Sequence, residues 1–281
     1  MKLSIIGLGL LGGSLALDLR KRHYADRIFG YDKSPVNQGY AKQVGIIDEE
    51  MDFGNCIKNG DIIVVAVPVG AALKIIPQIL DRINENQIVV DLCSTKATIC
   101  ERVKYHTNRK QFVACHPMAG TEKSGPWSAI SGMFDGKAVI LCDTEDSDEK
   151  AVQAVRRMFD VLNMNPMFFN SVNHDVHVAY VSHISHISSF ALALTVLEKE
   201  KNEKNIFNLA SGGFSSTVRL AKSGAEMWVP IFDNNKDNIL TVLNTYIDKL
   251  QDFKRLLEND DTVGMTSYVE NANRIKKVLN K

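Results

Sequence analysis

The sequence predicts an α/β domain with a doubly wound parallel sheet over residues 1–170, followed by an all-α domain over residues 171–281. Three observations lead to this fold class. Short apolar runs alternate with helical stretches through the first domain, which is the pattern of a parallel sheet covered by helices on both faces. A glycine-rich loop joins the first apolar run to the first helix. Beyond about residue 171 the strand patterns stop, and apolar residues recur at helical spacing.

Seven apolar runs of the first domain are predicted to be strands. Each is short, and most are rich in valine, isoleucine or phenylalanine, as buried strands are. Helical stretches separate several of them, so the strands are expected to run parallel. The predicted strands are residues 2–6, 27–32, 61–67, 87–92, 112–116, 137–142 and 166–169, and the predicted helices include 10–22, 71–84 and 148–162.

The second domain is predicted to be helical because its apolar residues recur every three or four positions. The broadest apolar stripe, over residues 239–257, is interpreted first as the core face of a helix inside the domain. The alternative is a face that contacts a second copy of the chain. The predicted helical regions are residues 176–199, 234–257 and 263–279.

The loop after the first strand has the spacing of a dinucleotide-binding turn. It reads GLGLLG from Gly7 to Gly12, which matches G-x-G-x-x-G between a strand and a helix. Gly7 permits the tight turn, Gly9 lets the backbone approach a pyrophosphate, and Gly12 allows close packing of helix on strand. The helix start, with Leu10 and Leu11, offers free N–H groups to phosphate oxygens. A Rossmann-type nucleotide-binding domain is therefore predicted.

The second predicted strand ends on a carboxylate, Asp32, which lies 25 positions after Gly7. A carboxylate there accepts hydrogen bonds from adenosine ribose hydroxyls and repels a 2′-phosphate, so the pattern favours NAD over NADP. Lys33 weakens this preference, and an alternative is that Asp32 only begins a turn. Val67 and Pro68 are further cofactor-binding candidates because ligands of such sheets bind beyond the carboxyl ends of the strands.

Two polar residues follow strands at the same edge of the predicted sheet. Ser94 comes after the fourth strand, and His116 ends the fifth. A histidine in this place can act as an acid, a base or a hydrogen-bond acceptor near neutral pH. The alternative is a histidine bonded to the backbone of a turn, which Pro117 and Gly120 make plausible. The residues alone do not separate these two interpretations.

Five segments, which occur in family order and span nearly the whole chain, resemble the prephenate dehydrogenase family, which includes arogenate dehydrogenases. The run beginning at His116 is the most specific of them, and the glycine loop is the least specific. The segments are GLGLLGGS (7–14), DLCSTK (91–96), HPMAGTEKSG (116–125), VSHISH (181–186) and GGFSSTVRLAKSGAEMW (212–228).

The resemblance implies a role for each candidate residue. His116 would accept a hydrogen bond from the ring hydroxyl of the substrate as hydride leaves the ring carbon. Ser94 would bond to His116 or to the same hydroxyl, and Arg219 would hold a substrate carboxylate. Other residues would line the substrate pocket or its mouth, namely His186, Gly212, Thr121 and Glu122.

One part of the family pattern is missing. Ser216 stands where the family usually has an acid, three residues before Arg219, and Ser215 replaces the usual basic residue. Any support that the acid gives to Arg219 must therefore be absent or come from elsewhere. The resemblance also implies a homodimer that forms through the C-terminal helices.

Composition excludes several classes of partner. Lysine plus arginine and aspartate plus glutamate each number 33, so the net charge is zero and a general nucleic-acid binder is not expected. No apolar run reaches the roughly 18 residues of a membrane span. The apolar start of the chain is interrupted by four glycines and lacks the cleavage site of a signal peptide. We therefore expect a cytoplasmic protein.

No metal site is expected. The five cysteines form no C-x-x-C pair. On one regular helix His174 and His177 would face away from His183 and His186, so the four cannot converge on one ion. His174 and His177 are interpreted as ordinary helix-start residues, and His183 or His186 as facing the cleft.

The predicted function is that of an oxidoreductase in tyrosine biosynthesis, acting by NAD-dependent oxidative decarboxylation of prephenate to 4-hydroxyphenylpyruvate. Arogenate, the amino analogue of prephenate, is the alternative substrate. Two further functions are less favoured. One is that of another two-domain hydroxy-acid dehydrogenase, which would rely on a lysine that no segment singles out. The second is that of a nucleotide-sensing protein without catalysis.

Overall fold

A computed structural model describes residues 1–201 and 206–279 of the chain. Among these residues eight strands form one sheet, which is the frame on which the candidate site is built. The strands are β1 (Lys2–Ile6), β2 (Arg27–Tyr31), β3 (Glu49–Glu50), β4 (Ile62–Val65), β5 (Ile88–Asp91), β6 (Phe112–Pro117), β7 (Ala138–Cys142) and β8 (Asn165–Phe169).

The strand order is β3-β2-β1-β4-β5-β6-β7-β8, so the chain winds outward from the centre in both directions. This confirms the doubly wound sheet and the strands predicted from the apolar runs. The order reverses between β1 and β4, which are parallel neighbours. Ligands of doubly wound sheets bind in the crevice outside the carboxyl ends of the strands at such a reversal.

The prediction of a wholly parallel sheet is wrong at β7. β6 and β7 pair in antiparallel fashion, with His116 opposite Ile140, whereas the other neighbouring strands are parallel. A parallel neighbour needs a crossover, usually a helix, to return the chain to the starting edge. Between β6 and β7 the described structure has only a 3₁₀ turn at Pro126–Ser128 and glycines with positive φ, so β7 begins at the edge where β6 ends.

The helices that flank the sheet and follow it agree with the predicted alternation. The helical residues of the last third also match the prediction of a helical C-terminal part. The helices are α1 (Leu10–Lys21), α2 (Pro35–Gln43), α3 (Phe53–Asn59), α4 (Val69–Leu80), α5 (Ala97–Val103), α6 (Glu149–Val161), α7 (Ser171–Val178), α8 (Ile184–Glu200), α9 (Gly212–Thr217), α10 (Ala225–Asn234), α11 (Lys236–Glu258), α12 (Thr262–Asn273) and α13 (Lys276–Leu279).

Each face of the sheet has its own apolar core, because successive strand residues point to opposite faces. Ile5 and Val64 belong to the core that α1 and α6 cover. Their neighbours Ile6 and Val65 belong to the opposite core, which includes residues of α3, α4 and α5. Burial on both faces explains why β1 and β4 are nearly continuous apolar runs rather than alternating ones.

Contacts between residues divide the chain into two compact units, Met1–Asn235 and Lys236–Lys281. The helices from α7 to α10 thus belong to the same unit as the sheet. The second unit pairs α11 with α12, where the Tyr268 hydroxyl donates a hydrogen bond to the Lys249 carbonyl at 3.0 Å. The domain boundary near residue 170 marks the end of the sheet and stays a prediction.

The stretch Ser171–Glu200 is long and apolar enough to cross a membrane by length and composition, although the sequence led us to expect no such stretch. It consists of α7, a π-helical turn at Ala179–His183, and α8. Buried polar residues stand in its first half, and Asp175 accepts hydrogen bonds from the backbone of Lys96 and Ala97. These bonds tie the first half of the stretch to the end of the sheet, so we interpret the stretch as part of the compact unit Met1–Asn235.

Candidate active site

The glycine loop between β1 and α1 is shaped by close backbone contacts. Gly7 has a φ of +101°, and a Cβ there would lie 2.5 Å from the carbonyl oxygen of Ala66. A Cβ on Gly12 would lie 2.1 Å from the Gly7 carbonyl oxygen. Gly9 differs, because a Cβ at this position would meet open space. Packing therefore explains Gly7 and Gly12, whereas Gly9 leaves room beside the helix start for a ligand.

The start of α1 can hold an anion. Gly9 is its N-cap and supplies no side-chain hydrogen bond, and the first turn contains no acidic residue. The first intrahelical bond runs from the N–H of Gly13 to the carbonyl of Gly9 at 2.9 Å. The N–H groups of Leu10, Leu11 and Gly12 precede it and have no partner within the helix. A pyrophosphate fits this end by charge and by hydrogen bonding.

Asp32 lies beside the glycine loop, as its place after β2 predicts. Its Oδ2 accepts a hydrogen bond from the N–H of Leu8 at 2.9 Å, and its Oδ1 accepts one from the N–H of Ser34 at 2.9 Å. The second bond forms a turn, so the turn-forming alternative also describes this residue. Oδ1 also accepts a hydrogen bond from Nδ2 of Asn37 at 3.2 Å, so Oδ2 is the oxygen with a further lone pair for a ribose hydroxyl.

Val67 and Pro68 follow β4 at the same sheet edge. The Val67 side chain lies 2.8 Å from the point that a Cβ on Gly7 would occupy, so it borders the loop directly. Pro68 is exposed and is the N-cap of α4. Both residues are positioned to contact a nucleotide that lies on the glycine loop, and their binding role stays a prediction.

His116 is buried at the end of β6, and its ring contacts a second histidine. Its Nδ1 lies 2.9 Å from Nε2 of His174, and the rings meet edge to face. Burial holds the pKa of His116 well below its ordinary value, and His174, Lys96 and His183 lower it further. The imidazole is therefore neutral near pH 7, which is the state that a general base requires.

The interpretation of His174 as an ordinary helix-start residue is wrong. His174 is buried, and its Nδ1 lies 2.8 Å from Oδ1 of Asp175. Asp175 in turn accepts backbone hydrogen bonds from Lys96 and Ala97 at 2.8 and 2.9 Å. The sequence contains one signal of this arrangement, a His-Asp pair at the start of the helix that follows the last strand.

The four histidines do not follow the angles of one regular helix. The π turn at Ala179–His183 contains about one extra residue per turn, which changes the direction of every later side chain. His183 is buried like His174, and its Nδ1 lies 3.1 Å from Nδ2 of Asn235. Asn235 also donates to the Asp175 carbonyl at 2.7 Å. His177 is exposed and lies against the Phe169 ring.

The described ranges 1–201 and 206–279 contain no group of three or more His, Cys, Asp or Glu side chains that could hold a metal ion. The cysteines are all free and buried. The burial of the thiols raises their pKa, to about 12 for Cys56. They are therefore present as thiols rather than as thiolates near neutral pH.

Ser94 lies on the strand-end turn that Asp91 and Lys96 shape. Within the described chain its side chain makes no hydrogen bond to His116, whose Nδ1 faces His174 instead. Its second predicted partner, the substrate hydroxyl, stays a prediction. Asp91 and Lys96 are fully buried and form an ion pair, and Nζ of Lys96 also donates to the Cys115 carbonyl at 2.8 Å. This pair joins the ends of β5 and β6.

Arg219 obtains its acidic partner from a distant segment of the chain. Its Nη1 donates a hydrogen bond to Oε2 of Glu122 at 3.1 Å. Ser216 does not take part, because its hydroxyl donates to the Gly213 carbonyl at 2.9 Å. Hydrogen bonding by its own backbone N–H lowers the pKa of Glu122, and Arg219 lowers it further. Glu122 thus supplies the support that the departure at Ser216 left open.

His186 stacks on Trp228, with ring centroids 3.4 Å apart and planes inclined by 28°. Its Nδ1 lies 3.1 Å from the Ser182 carbonyl oxygen, to which it donates. Burial lowers the pKa of His186, and the charge of Arg219 acts in the same direction. The buried indole N–H of Trp228 finds no hydrogen-bond partner in the described structure. This unpaired buried donor is a feature that the sequence did not reveal.

The remaining candidates are less closely tied to this cluster. Thr121 belongs to the turn that carries Glu122, and its hydroxyl oxygen accepts a hydrogen bond from the N–H of Lys123 at 3.2 Å. Gly212 is exposed at the start of α9, and a Cβ there would meet nothing within 4 Å. Neither observation assigns these residues to a pocket, so their predicted roles stay predictions.

The burial of His183 predicts a pH dependence of stability. Burial lowers its pKa from 6.5 to about 4, although Asp175 opposes the shift. Between these two values the unfolded chain binds more protons than the folded one, so stability falls as pH falls through this window. We expect this residue to remove on the order of 3 kcal/mol from the free energy of unfolding across the window.

Urea denaturation at a series of pH values measures this loss. The control is His183→Gln, which cannot titrate and should show a shallower decline over the same window. Equal slopes for the variant and the unaltered protein would contradict the prediction.

Comparison with known protein families identifies relatives of both parts of the chain. Residues 15–165 match the family model described as the prephenate dehydrogenase nucleotide-binding domain. Residues 170–271 match the prephenate dehydrogenase dimerization domain. The prephenate dehydrogenase of Bacillus subtilis (strain 168) is 30% identical over 271 residues, which are 95% of this chain and 73% of that protein.

Solved structures with the same fold cover essentially the whole chain. The prephenate dehydrogenase of A. aeolicus, in complex with hydroxyphenyl propionate and NAD⁺, has a TM-score of 0.88 and 28% identity, with 100% of this chain and 98% of that chain covered. The arogenate dehydrogenase of Synechocystis has a TM-score of 0.79 and 25% identity, with 99% of each chain covered. The similarity therefore extends through both the sheet and the helices that follow it.

Proposed function

Because the chain belongs to the prephenate dehydrogenase family of oxidoreductases, we propose that it catalyses the NAD-dependent oxidative decarboxylation of prephenate to 4-hydroxyphenylpyruvate. The observation that carries this proposal is the buried, neutral His116 at the sheet edge where nucleotide ligands bind. A neutral imidazole in this place can take the proton of a ring hydroxyl. The product would feed tyrosine biosynthesis.

The proton of the substrate hydroxyl goes to Nε2 of His116, because Nδ1 of that ring is bonded to His174. NAD, when bound, would supply the acceptor for the hydride that leaves the ring carbon bearing this hydroxyl. Loss of carbon dioxide then follows readily, since the ring becomes aromatic. Ser94, on the turn after β5, donates to the same hydroxyl oxygen in this proposal. Base assistance of this kind contributes roughly 10²–10⁴-fold to the rate.

The chain's own residues suit NAD. The N–H groups at the start of α1 would hold the pyrophosphate, and Gly9 leaves open space beside them. Asp32 would accept hydrogen bonds from the ribose hydroxyls of NAD and would repel the additional phosphate of NADP. Val67 and Pro68, at the end of β4, would border the nucleotide.

Arg219 holds a carboxylate of the substrate in this proposal. A guanidinium makes paired, charge-assisted hydrogen bonds to a carboxylate, which suits a dianionic substrate. Glu122 holds the guanidinium in place from 3.1 Å. The remaining pocket residues proposed are His186, Gly212 and Thr121.

Replacement of Arg219 by alanine is expected to raise KM for the substrate about 10- to 100-fold, because charge-assisted hydrogen bonds contribute about 1.5–3 kcal/mol. The value of kcat should change much less, since the reacting carbon lies elsewhere on the substrate. Steady-state rates at saturating NAD measure both constants. Lys222→Ala, on the same 3₁₀ turn, is the matched control and should behave like the unaltered enzyme. An unchanged KM for Arg219→Ala would rule out this role.

Arogenate is the second candidate substrate, and the position of Glu122 favours it. Arogenate carries an ammonium group and a carboxylate on one carbon, whereas prephenate carries a keto group there. The neighbouring charges of Glu122 and Arg219 match an amino acid in sign, because each can pair with one of the two groups. The same site could therefore accept both compounds.

The deciding experiment mixes the purified protein with NAD or NADP and with prephenate or arogenate, and follows the absorbance of the reduced nicotinamide. We expect turnover with prephenate and NAD, and a lower kcat/KM with NADP. Comparison of kcat/KM for the two substrates decides between the candidate functions. Absence of turnover in all four mixtures would contradict both and would favour a nucleotide-sensing protein.

We also propose that the active protein is a cytoplasmic homodimer that forms through the C-terminal helices. The match to a dimerization domain over residues 170–271 supports it. The exposure of large apolar side chains on α8 also supports a dimer, because these side chains would otherwise face water. These side chains are Leu192, Leu194 and Leu197.

A further inference from the structure

A continuous hydrogen-bonded chain of side chains lies behind His116, on the side away from its Nε2. His174 Nε2 is 2.9 Å from His116 Nδ1, and His174 Nδ1 is 2.8 Å from Asp175 Oδ1. All three residues are buried. Asp175 is held by two backbone N–H groups, those of Lys96 and Ala97. The chain therefore connects β6, the start of α7 and the start of α5 without exposure to water.

The direction of each hydrogen bond follows from the residue at the far end. A carboxylate only accepts hydrogen bonds, so His174 must carry its proton on Nδ1 when it faces Asp175. The Nε2 of a neutral His174 is then an acceptor. His116 must in turn carry its proton on Nδ1 in order to donate to it. Its Nε2 is left with a free lone pair.

We propose that His174 and Asp175 are positioning residues that hold His116 in the one tautomer whose Nε2 can act as the base. This inference rests on the proposed function, in which the proton of the substrate hydroxyl moves to that nitrogen. After the transfer His116 is an imidazolium that still donates its Nδ1–H to His174. The Asp175 carboxylate, one ring further away, stabilises the positive charge that forms.

The contact between His183 and Asn235 supports the same arrangement. Nδ2 of Asn235 donates a hydrogen bond to the Asp175 carbonyl and lies 3.1 Å from Nδ1 of His183. The start of α7 is thereby held from two sides, by the backbone of α5 and by the Asn235 side chain. A merely space-filling histidine at position 174 would need neither the carboxylate nor these supports.

Two substitutions separate a positioning role from a packing role. His174→Gln retains a side-chain oxygen that can accept the Nδ1–H of His116. His174→Phe retains a ring of similar shape but offers no acceptor. We expect kcat to fall by up to about 10⁴-fold in the phenylalanine variant, because a base that loses its orienting partner also loses the correct tautomer. The glutamine variant should stay within about tenfold of the unaltered enzyme, and KM for NAD should change in neither.

Nitrogen NMR of the imidazole rings provides a readout that does not depend on turnover. His116 should show a single neutral tautomer with the proton on Nδ1 in the unaltered protein and in His174→Gln. This tautomer should be lost in His174→Phe. Urea denaturation of both variants reports their stability. Equal losses of kcat in the two variants, or an unchanged tautomer in His174→Phe, would overturn the proposal.

Failure of the proposed function gives a different result. In that case the unaltered protein turns over neither prephenate nor arogenate, and no comparison of kcat is possible. The NMR comparison still tests whether His174 sets the tautomer of His116. An active protein with an unaffected tautomer therefore refutes the positioning role alone.

Discussion

Replacement of His116 by asparagine is expected to lower kcat about 10²–10⁴-fold while KM for the substrate changes only a few-fold. The asparagine amide can form a hydrogen bond to the ring hydroxyl, so the substrate is still bound. It cannot take up the proton, so the substrate hydroxyl has no base to receive its proton as hydride leaves the ring carbon. Initial rates with prephenate and NAD measure both constants.

The matched control for this substitution is His177→Asn. His177 lies on α7, only three positions after His174, but it is exposed and contacts Phe169 rather than His116. Its replacement should leave kcat unaltered. A variant His116→Asn that keeps the full kcat would show that another group removes the proton.

The pH profile of the unaltered enzyme gives a second test of the same residue. Burial holds the pKa of His116 well below 6.5, so the ring remains neutral and active on the acidic side of that value. We expect kcat to decline only at a pH well below 6.5. A decline centred near the ordinary histidine value would contradict the burial of this ring.

Lys96→Ala is expected to lower the free energy of unfolding by about 3–5 kcal/mol, because it leaves a buried carboxylate without its cation. Lys96 and Asp91 are both fully buried, and two backbone N–H groups also bond to Asp91. Burial alone disfavours the charge of Lys96, but the neighbouring Asp91 raises the pKa of the lysine above its ordinary value. Lys96 is therefore charged in the folded protein. Urea denaturation followed by circular dichroism measures the loss.

Two further variants define the cause of this loss. Lys104→Ala removes an exposed lysine that pairs with Glu101, and such a pair contributes less than about 1 kcal/mol. The double substitution Asp91→Leu with Lys96→Met removes both buried charges, and should recover much of the stability that Lys96→Ala loses. A loss below about 1 kcal/mol for Lys96→Ala would mean that water or another cation reaches Asp91.

The sequence predicted the features that depend on neighbouring residues. The loop from Gly7 to Gly12 is one of them, because the close contacts that require Gly7 and Gly12 arise within one strand-turn-helix unit. Asp32 and His116 are others, since the carboxyl ends of parallel strands lie at one edge of the sheet. The apolar runs also predicted their strands, because each strand consists of consecutive residues of one run.

The features that were missed depend on contacts between distant residues. His174 meets His116 across 58 positions, and Arg219 meets Glu122 across 97 positions. No spacing rule connects such pairs. The π turn at Ala179–His183 was missed because the prediction used the angle of a regular α-helix for all four histidines. The antiparallel β7 was missed because alternation of apolar runs does not report strand direction.

The sequence by itself determined the doubly wound sheet and the nucleotide loop, and it made His116 a candidate whose role as base came from the resemblance to the family. The sheet and the loop follow from side-chain periodicity and from backbone geometry over a few consecutive residues. Only the tertiary structure decided which groups orient His116, which acid supports Arg219 and in which direction β7 runs. The physical reason is that hydrogen bonds and ion pairs act over about 3 Å, so they depend on how remote segments meet rather than on their order along the chain.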